Sequence, residues 1–138
     1  MIINCGQCGQ KNRVSAGRVD DAPVCGKCKT GLAVTGVPRD VTPDELKTLI
    51  KESARPIVVD FWAPWCQPCL MAAPELTRFA ANEPDVLVVK LNTQTHPMAA
   101  VKYGVKGIPM YALFKDGSKQ STHAGVLMSH QIRSTLGL

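Results

Sequence analysis

The sequence predicts an α/β protein, an open mixed sheet with helices on both faces, preceded by a small four-cysteine finger. Three observations carry this. Between Pro56 and Tyr103, strand-like apolar runs alternate with helical patterns. A hairpin follows, because Asp116-Gly117 is turn chemistry between two strand-like runs. All six cysteines fall in Cys-x-x-Cys pairs, Cys5/Cys8, Cys25/Cys28 and Cys66/Cys69, and two of those pairs lie within the first 28 residues.

The finger comes first. Cys5-Gly-Gln-Cys8 and, after sixteen residues, Cys25-Gly-Lys-Cys28 have the spacing of a four-cysteine zinc site. Each Cys-Gly-x-Cys makes a tight knuckle, and two knuckles offer one ion four soft ligands, which suits a single structural zinc. The stretch from Gly9 to Val24 is polar and reads as unable to form a core, so its order is expected to depend on the metal. This divides the chain into a finger over residues 1–31 and a main domain over 32–138.

In the main domain, Leu32 to Thr35 reads as a short first strand. Thr42-Pro-Asp-Glu45 is a helix start, with Thr42 as cap, Pro43 in the first turn and Glu45 completing a capping box. Leu46, Leu49 and Ile50 then share one face. Ile57 to Phe61 is the central strand, and a long helix follows Cys66, with a kink that splits it expected where Pro74 removes a donor. Val86 to Leu91 lacks clean alternation, as in a strand covered on both faces. Pro97 to Tyr103 reads as a short helix stopped by Gly104. Met110 to Lys115 and Ser118 to Thr122 form the hairpin, and Ser129 caps a last helix carrying Ile132 and Leu136.

Composition bounds the function. With 138 residues and 45% apolar content, one ordinary domain and an appendage fit. No run approaches a membrane span, and Met1 to Gly6 lacks the basic start and apolar run of a secretory signal. The expectation is a cytoplasmic monomer with no membrane association. In a reducing compartment, paired cysteines mean metal or redox chemistry rather than structural disulfides. The formal charge of +5 falls to about +3 once four thiolates and a zinc ion are counted. The finger has no aromatic residue on which bases could stack, so no nucleic-acid role is expected.

The reactive stretch is Trp65-Cys-Gln-Pro-Cys69, where an apolar strand hands over to a helix. A cysteine at a helix start meets unpaired N–H groups and the positive end of the dipole, which favour the thiolate, the form that attacks disulfides. Cys66 is therefore the expected nucleophile. Cys69, one turn on and partly buried, attacks second. Asp60 is a lone carboxylate in an apolar strand; desolvation should raise its pKa and fit it for proton exchange near neutrality.

VVDFWAPWCQPC over Val58–Cys69, then Val89-Lys-Leu-Asn92, Tyr103-Gly-Val-Lys-Gly-Ile-Pro109 and Leu113-Phe-Lys-Asp-Gly117 resemble the thioredoxin family. The match spans about residues 33–138, and with the finger in front the chain is similar to the zinc-finger-bearing bacterial branch often called thioredoxin 2. The resemblance implies a five-stranded mixed sheet, parallel in its first half. It implies a protein-disulfide reductase with no bound organic cofactor, recharged by an NADPH-dependent flavin thioredoxin reductase and acting on oxidised client proteins. It implies that Asp60 deprotonates Cys69 through water with Lys90 as the aspartate's partner, and that Ile108-Pro109 is a cis-proline loop pairing with substrate. Gly107 and Gly125 would keep nearby surfaces low for the client, and Trp65, Gln67 and Pro68 complete the contact surface, with Trp62 packed beneath. Gln67, Met110 and Gln94 depart from the common residues (glycine, threonine and aspartate). A binding module with an inert scaffold is the competing reading, and the intact Cys66/Cys69 pair argues against it.

Overall fold

The computed structural model describes all residues, Met1–Leu138. Strands β1 (Ile2–Asn4) and β2 (Lys11–Arg13) form a small antiparallel ladder, followed by a 3-10 turn at Ala16–Arg18. Then come β3 (Arg39–Asp40), α1 (Pro43–Glu52), β4 (Ile57–Trp62), α2 (Gln67–Asn82), β5 (Leu87–Asn92) and α3 (Pro97–Lys102). The hairpin β6 (Met110–Lys115) and β7 (Ser118–Ala124) and the helix α4 (Ser129–Leu136) end the chain. The main sheet has the order β3-β5-β4-β6-β7; its first three strands are parallel, and β6 and β7 each run antiparallel to their neighbour.

Alternation along β4 divides the core between two faces. Ile57, Val59 and Phe61 pack with Leu46 and Leu49 of α1, while Val58 packs with Leu76 and Phe79 of α2 and Ile132 and Leu136 of α4. Asp60 takes the second face with Val58. The capping box of α1 forms as its sequence predicts: Glu45 N donates to Thr42 Oγ1 at 3.2 Å and Thr42 N to Glu45 Oε1 at 3.0 Å.

Four expectations change. Leu32–Thr35 forms no strand, because the Arg39 guanidinium donates to the carbonyls of Ala33 and Val34, and the sheet edge falls at Arg39–Asp40 instead. Pro74 does not divide α2, which runs unbroken from Gln67 to Asn82. Ala72 before the proline and Leu76, Phe79 and Ala80 after it are all buried in one cluster, and that packing outweighs one lost helical bond. Ser129 is the first helical residue rather than the cap. Its N–H is claimed by Glu75 Oε1 at 2.9 Å, and Met128 N donates to Gln131 Oε1 in the capping position.

The fourth change concerns the finger. Its few apolar residues do enter a core: Met1, Ile3, Val14, Ala16 and Val19 are buried in the same cluster as Leu46 and Leu49. Scattered in sequence, they are gathered by the β1–β2 ladder and the 3-10 turn against α1. Hydrophobic packing therefore continues across residue 31.

Candidate functional site

β4 ends at Trp62, and a tight turn closed by Cys66 N donating to Ala63 O at 3.1 Å delivers Cys66 to the N-cap of α2. Pro68 occupies the first turn, where its missing N–H costs nothing because such groups have no helical partner anyway. Cys66 and Cys69 form a disulfide with Cα atoms 5.2 Å apart. Cys69 N donates to Cys66 Sγ at 3.2 Å, the orientation that would stabilise a thiolate there once the bond is reduced.

Facing Cys66, Ile108-Pro109 is a cis peptide, and Ile108 O lies 3.7 Å from Cys66 Sγ. Gly125, at φ +107°, donates its N–H to Pro109 O at 2.8 Å and so braces that loop from β7's end; a side chain would be strained at this φ. Gly107 needs no such freedom. A Cβ there would meet nothing within 4 Å, so its bareness keeps the surface open.

A groove of about 510 Å³ runs between the two segments. Trp65, Cys66, Gln67, Pro68, Gly107 and Ile108 line it, all of them expected from the sequence. Thr93, Ala100, Val105 and Lys106 line it too, and sequence reasoning missed them. Lys106 and Val105 sit in the stretch leading to Pro109, and Ala100 lies on α3, so only the folded chain reveals their shared wall. Pro109 and Gly125, also expected at the site, are not among its lining residues. Residue exposure barely separates the two cysteines, at 4% and 3%, but Cys66 opens on the groove and Cys69 does not. Trp65 is 68% exposed at the rim.

On β4, two residues before Trp62, Asp60 is 1% exposed and its Oδ1 has no partner. Burial pushes its pKa up to about 7, with the Lys90 charge opposing. The two residues are register partners across β4 and β5, yet no ion pair joins them; Lys90 Nζ lies 4.4 Å from the centroid of the Trp62 ring. On the other side of Asp60, burial and the nearby carboxylate push the Tyr111 phenol upward. Trp62 packs against Ala63, Cys66 and Cys69, as expected. None of His96, His123 and His130 belongs to a ligand cluster.

The four finger cysteines form a second centre. Their sulfurs all lie within 4.8 Å of one another, with Cys5–Cys28 and Cys8–Cys25 each at 3.6 Å. A tetrahedral zinc with bonds of about 2.3 Å needs sulfurs about 3.8 Å apart, so this donor set fits the ion. The knuckles match each other: Gln7 N points to Cys5 Sγ and Lys27 N to Cys25 Sγ, both at 3.4 Å. Asn12 Oδ1 accepts from Gly26 N at 2.9 Å and ties the ladder to the second knuckle.

Comparison with known proteins agrees with this geometry. The Thioredoxin family model matches residues 37–137, and a model described as Thioredoxin 2, N-terminal, matches residues 4–30. Thioredoxin C-3 of Corynebacterium nephridii is 31% identical over 99% of this chain and 93% of its own length. Thioredoxin 1 of Synechococcus elongatus is 42% identical over 70% of this chain and 91% of its own. Among solved structures, chloroplastic thioredoxin z superposes with a TM-score of 0.66 at 26% identity, covering 73% of this chain and 92% of that one. No helix is long and apolar enough to cross a membrane. With a redox pair on a helix start and a zinc-ribbon segment ahead of it, the chain belongs to the thioredoxin family of thiol–disulfide oxidoreductases.

Proposed function

We propose that this chain is a cytoplasmic protein-disulfide reductase, recharged by an NADPH-dependent thioredoxin reductase and acting on oxidised client proteins as a monomer. The Cys66 thiolate attacks one sulfur of a client disulfide, forming a mixed disulfide and releasing the other client sulfur as a thiolate. Asp60 takes the Cys69 proton, and the Cys69 thiolate attacks Cys66 Sγ, restoring the Cys66–Cys69 disulfide and releasing the second client sulfur. Two electrons pass from the dithiol to the client, whose two thiolates take up protons.

The observation that carries this reading is that the groove opens on Cys66 and not on Cys69. A client sulfur can approach the first thiol while the second stays covered until the mixed disulfide forms. Trp65, Gln67, Pro68, Gly107 and Ile108 would form the client's contact surface, with Pro109 and Gly125 holding the loop in place. Lys90 would temper the Asp60 charge.

One zinc ion would be held by Cys5, Cys8, Cys25 and Cys28. When bound it supplies structural cross-linking, with no open position for catalysis. Residues 1–31 would then be the metal-dependent unit and residues 32–138 the redox unit, with the shared core joining them.

Insulin serves as the test substrate. Cys69→Ser should accumulate a mixed disulfide with an insulin chain at Cys66, read by intact mass, and Cys66→Ser should accumulate none. Equal trapping by both variants would refute the assignment.

A further inference from the structure

The wall of the sheet beside Asp60 holds an arrangement that the reaction does not by itself require. Lys90 starts directly across from Asp60 in the β4–β5 register, and its side chain is long enough to reach the carboxylate. It goes instead to the face of Trp62, the diagonal neighbour two residues along β4, which alternation puts on the same face. Asp60 Oδ1 is left buried without a partner. An ammonium over an indole face is attracted by the ring's quadrupole, so two sites compete for one lysine.

We infer that Trp62 is a positioning residue: its indole face holds the Lys90 ammonium off Asp60, leaving the carboxyl free to exchange a proton with Cys69. This rests on the role of Asp60 given above. A direct ion pair would hold the carboxylate ionised and make it a poor proton acceptor. Trp62 is also packed against Cys66 and Cys69, so one side chain sets both the floor of the disulfide and the place of the charge.

The charged and titratable groups around the pair are few. Lys90 faces Asp60 from β5 and Tyr111 from β6, and Cys69 is a buried residue of α2. A small cavity of about 330 Å³ beside Trp62 and Lys90 also brings in Asp40, Glu45 and His96. Asp40 and Glu45 make no ion pair with Lys90 either.

The test is an NMR titration of the Asp60 carboxyl carbon in the oxidised full-length protein. Trp62→Leu should free Lys90 and lower the Asp60 midpoint by about one pH unit. Trp62→Phe, which keeps a weaker ring, should fall between Leu and the native protein. In a Lys90→Met background, Trp62→Leu should leave the midpoint where Lys90→Met alone puts it. An unchanged midpoint in Trp62→Leu, or the same fall with and without Lys90, would overturn the inference. The unmodified protein supplies a check that no folding defect can spoil: the Lys90 ε-methylene protons should be shifted upfield by the indole ring, and unshifted resonances would also overturn it. These readouts need no turnover, so they stand or fall separately from the insulin-trapping result.

Discussion

Replacing Asp60 by asparagine should raise stability at alkaline pH relative to acid, although it removes the proton acceptor proposed above for Cys69. Asparagine keeps the shape and cannot ionise. The native carboxyl titrates near pH 7 in the folded chain, against an ordinary value of 3.8. The folded state thus holds the proton more tightly than the unfolded chain does. Stability from this group is fully present below about pH 4 and is lost as pH rises towards 7, where the folded protein must bury a charge. Three pH units at about 1.36 kcal/mol each put that loss at about 4 kcal/mol. Any cost of burying the new amide is the same at every pH and only offsets the curve. Denaturant unfolding of the oxidised native protein and Asp60→Asn, from pH 4 to pH 9, gives the difference directly. It should grow in favour of the variant by about 4 kcal/mol across the window and level off above pH 7.5 or so. A difference that stays flat with pH would refute the claim that Asp60 is buried uncompensated.

Three further outcomes follow from the same structure. Ile3 is fully buried among residues of the main core, so Ile3→Ala should cost about 2–5 kcal/mol in denaturant unfolding; a loss below about 0.5 kcal/mol, as at an exposed site, would mean that the finger is a free appendage. Elemental analysis of protein purified under reducing conditions should give one zinc per chain, falling to none in a Cys5→Ser/Cys25→Ser variant. Gln67 makes no hydrogen bond to Cys66, so Gln67→Gly should move the reduction potential by no more than about 30 mV when equilibrated against glutathione buffers.

Much of this was legible in the chain because the signals are local. The Thr42–Glu45 capping box, the Asp116-Gly117 turn and the handover from strand to Cys66 each rest on residues a few positions apart. The zinc knuckles were legible for the same reason: two short ligand pairs need only to be brought together. What stayed hidden depends on distant partners or on a competing side chain. Nothing near Ile3, Val14 and Val19 shows that Leu46 and Leu49 will cover them. The Leu32–Thr35 strand is lost to the guanidinium of Arg39, a contact that strand propensity does not count. The family resemblance pairs Lys90 with Asp60, but only the folded sheet shows Trp62 within reach of the same ammonium. The groove gathers Ala100 from α3, which no motif marks, and Val105 and Lys106 from the Tyr103–Pro109 motif, whose residues do not show that they share a wall with Cys66.

The central claim is that Cys66 and Cys69 carry electrons from a reductase to client disulfides. NADPH oxidation measured with thioredoxin reductase, this protein and insulin tests it most directly. The account predicts NADPH consumption that scales with the protein's concentration, accompanied by insulin-chain precipitation, and loss of both in Cys66→Ser. Insulin reduction that persists in Cys66→Ser, or no NADPH consumption by the native protein with an active reductase, would contradict it.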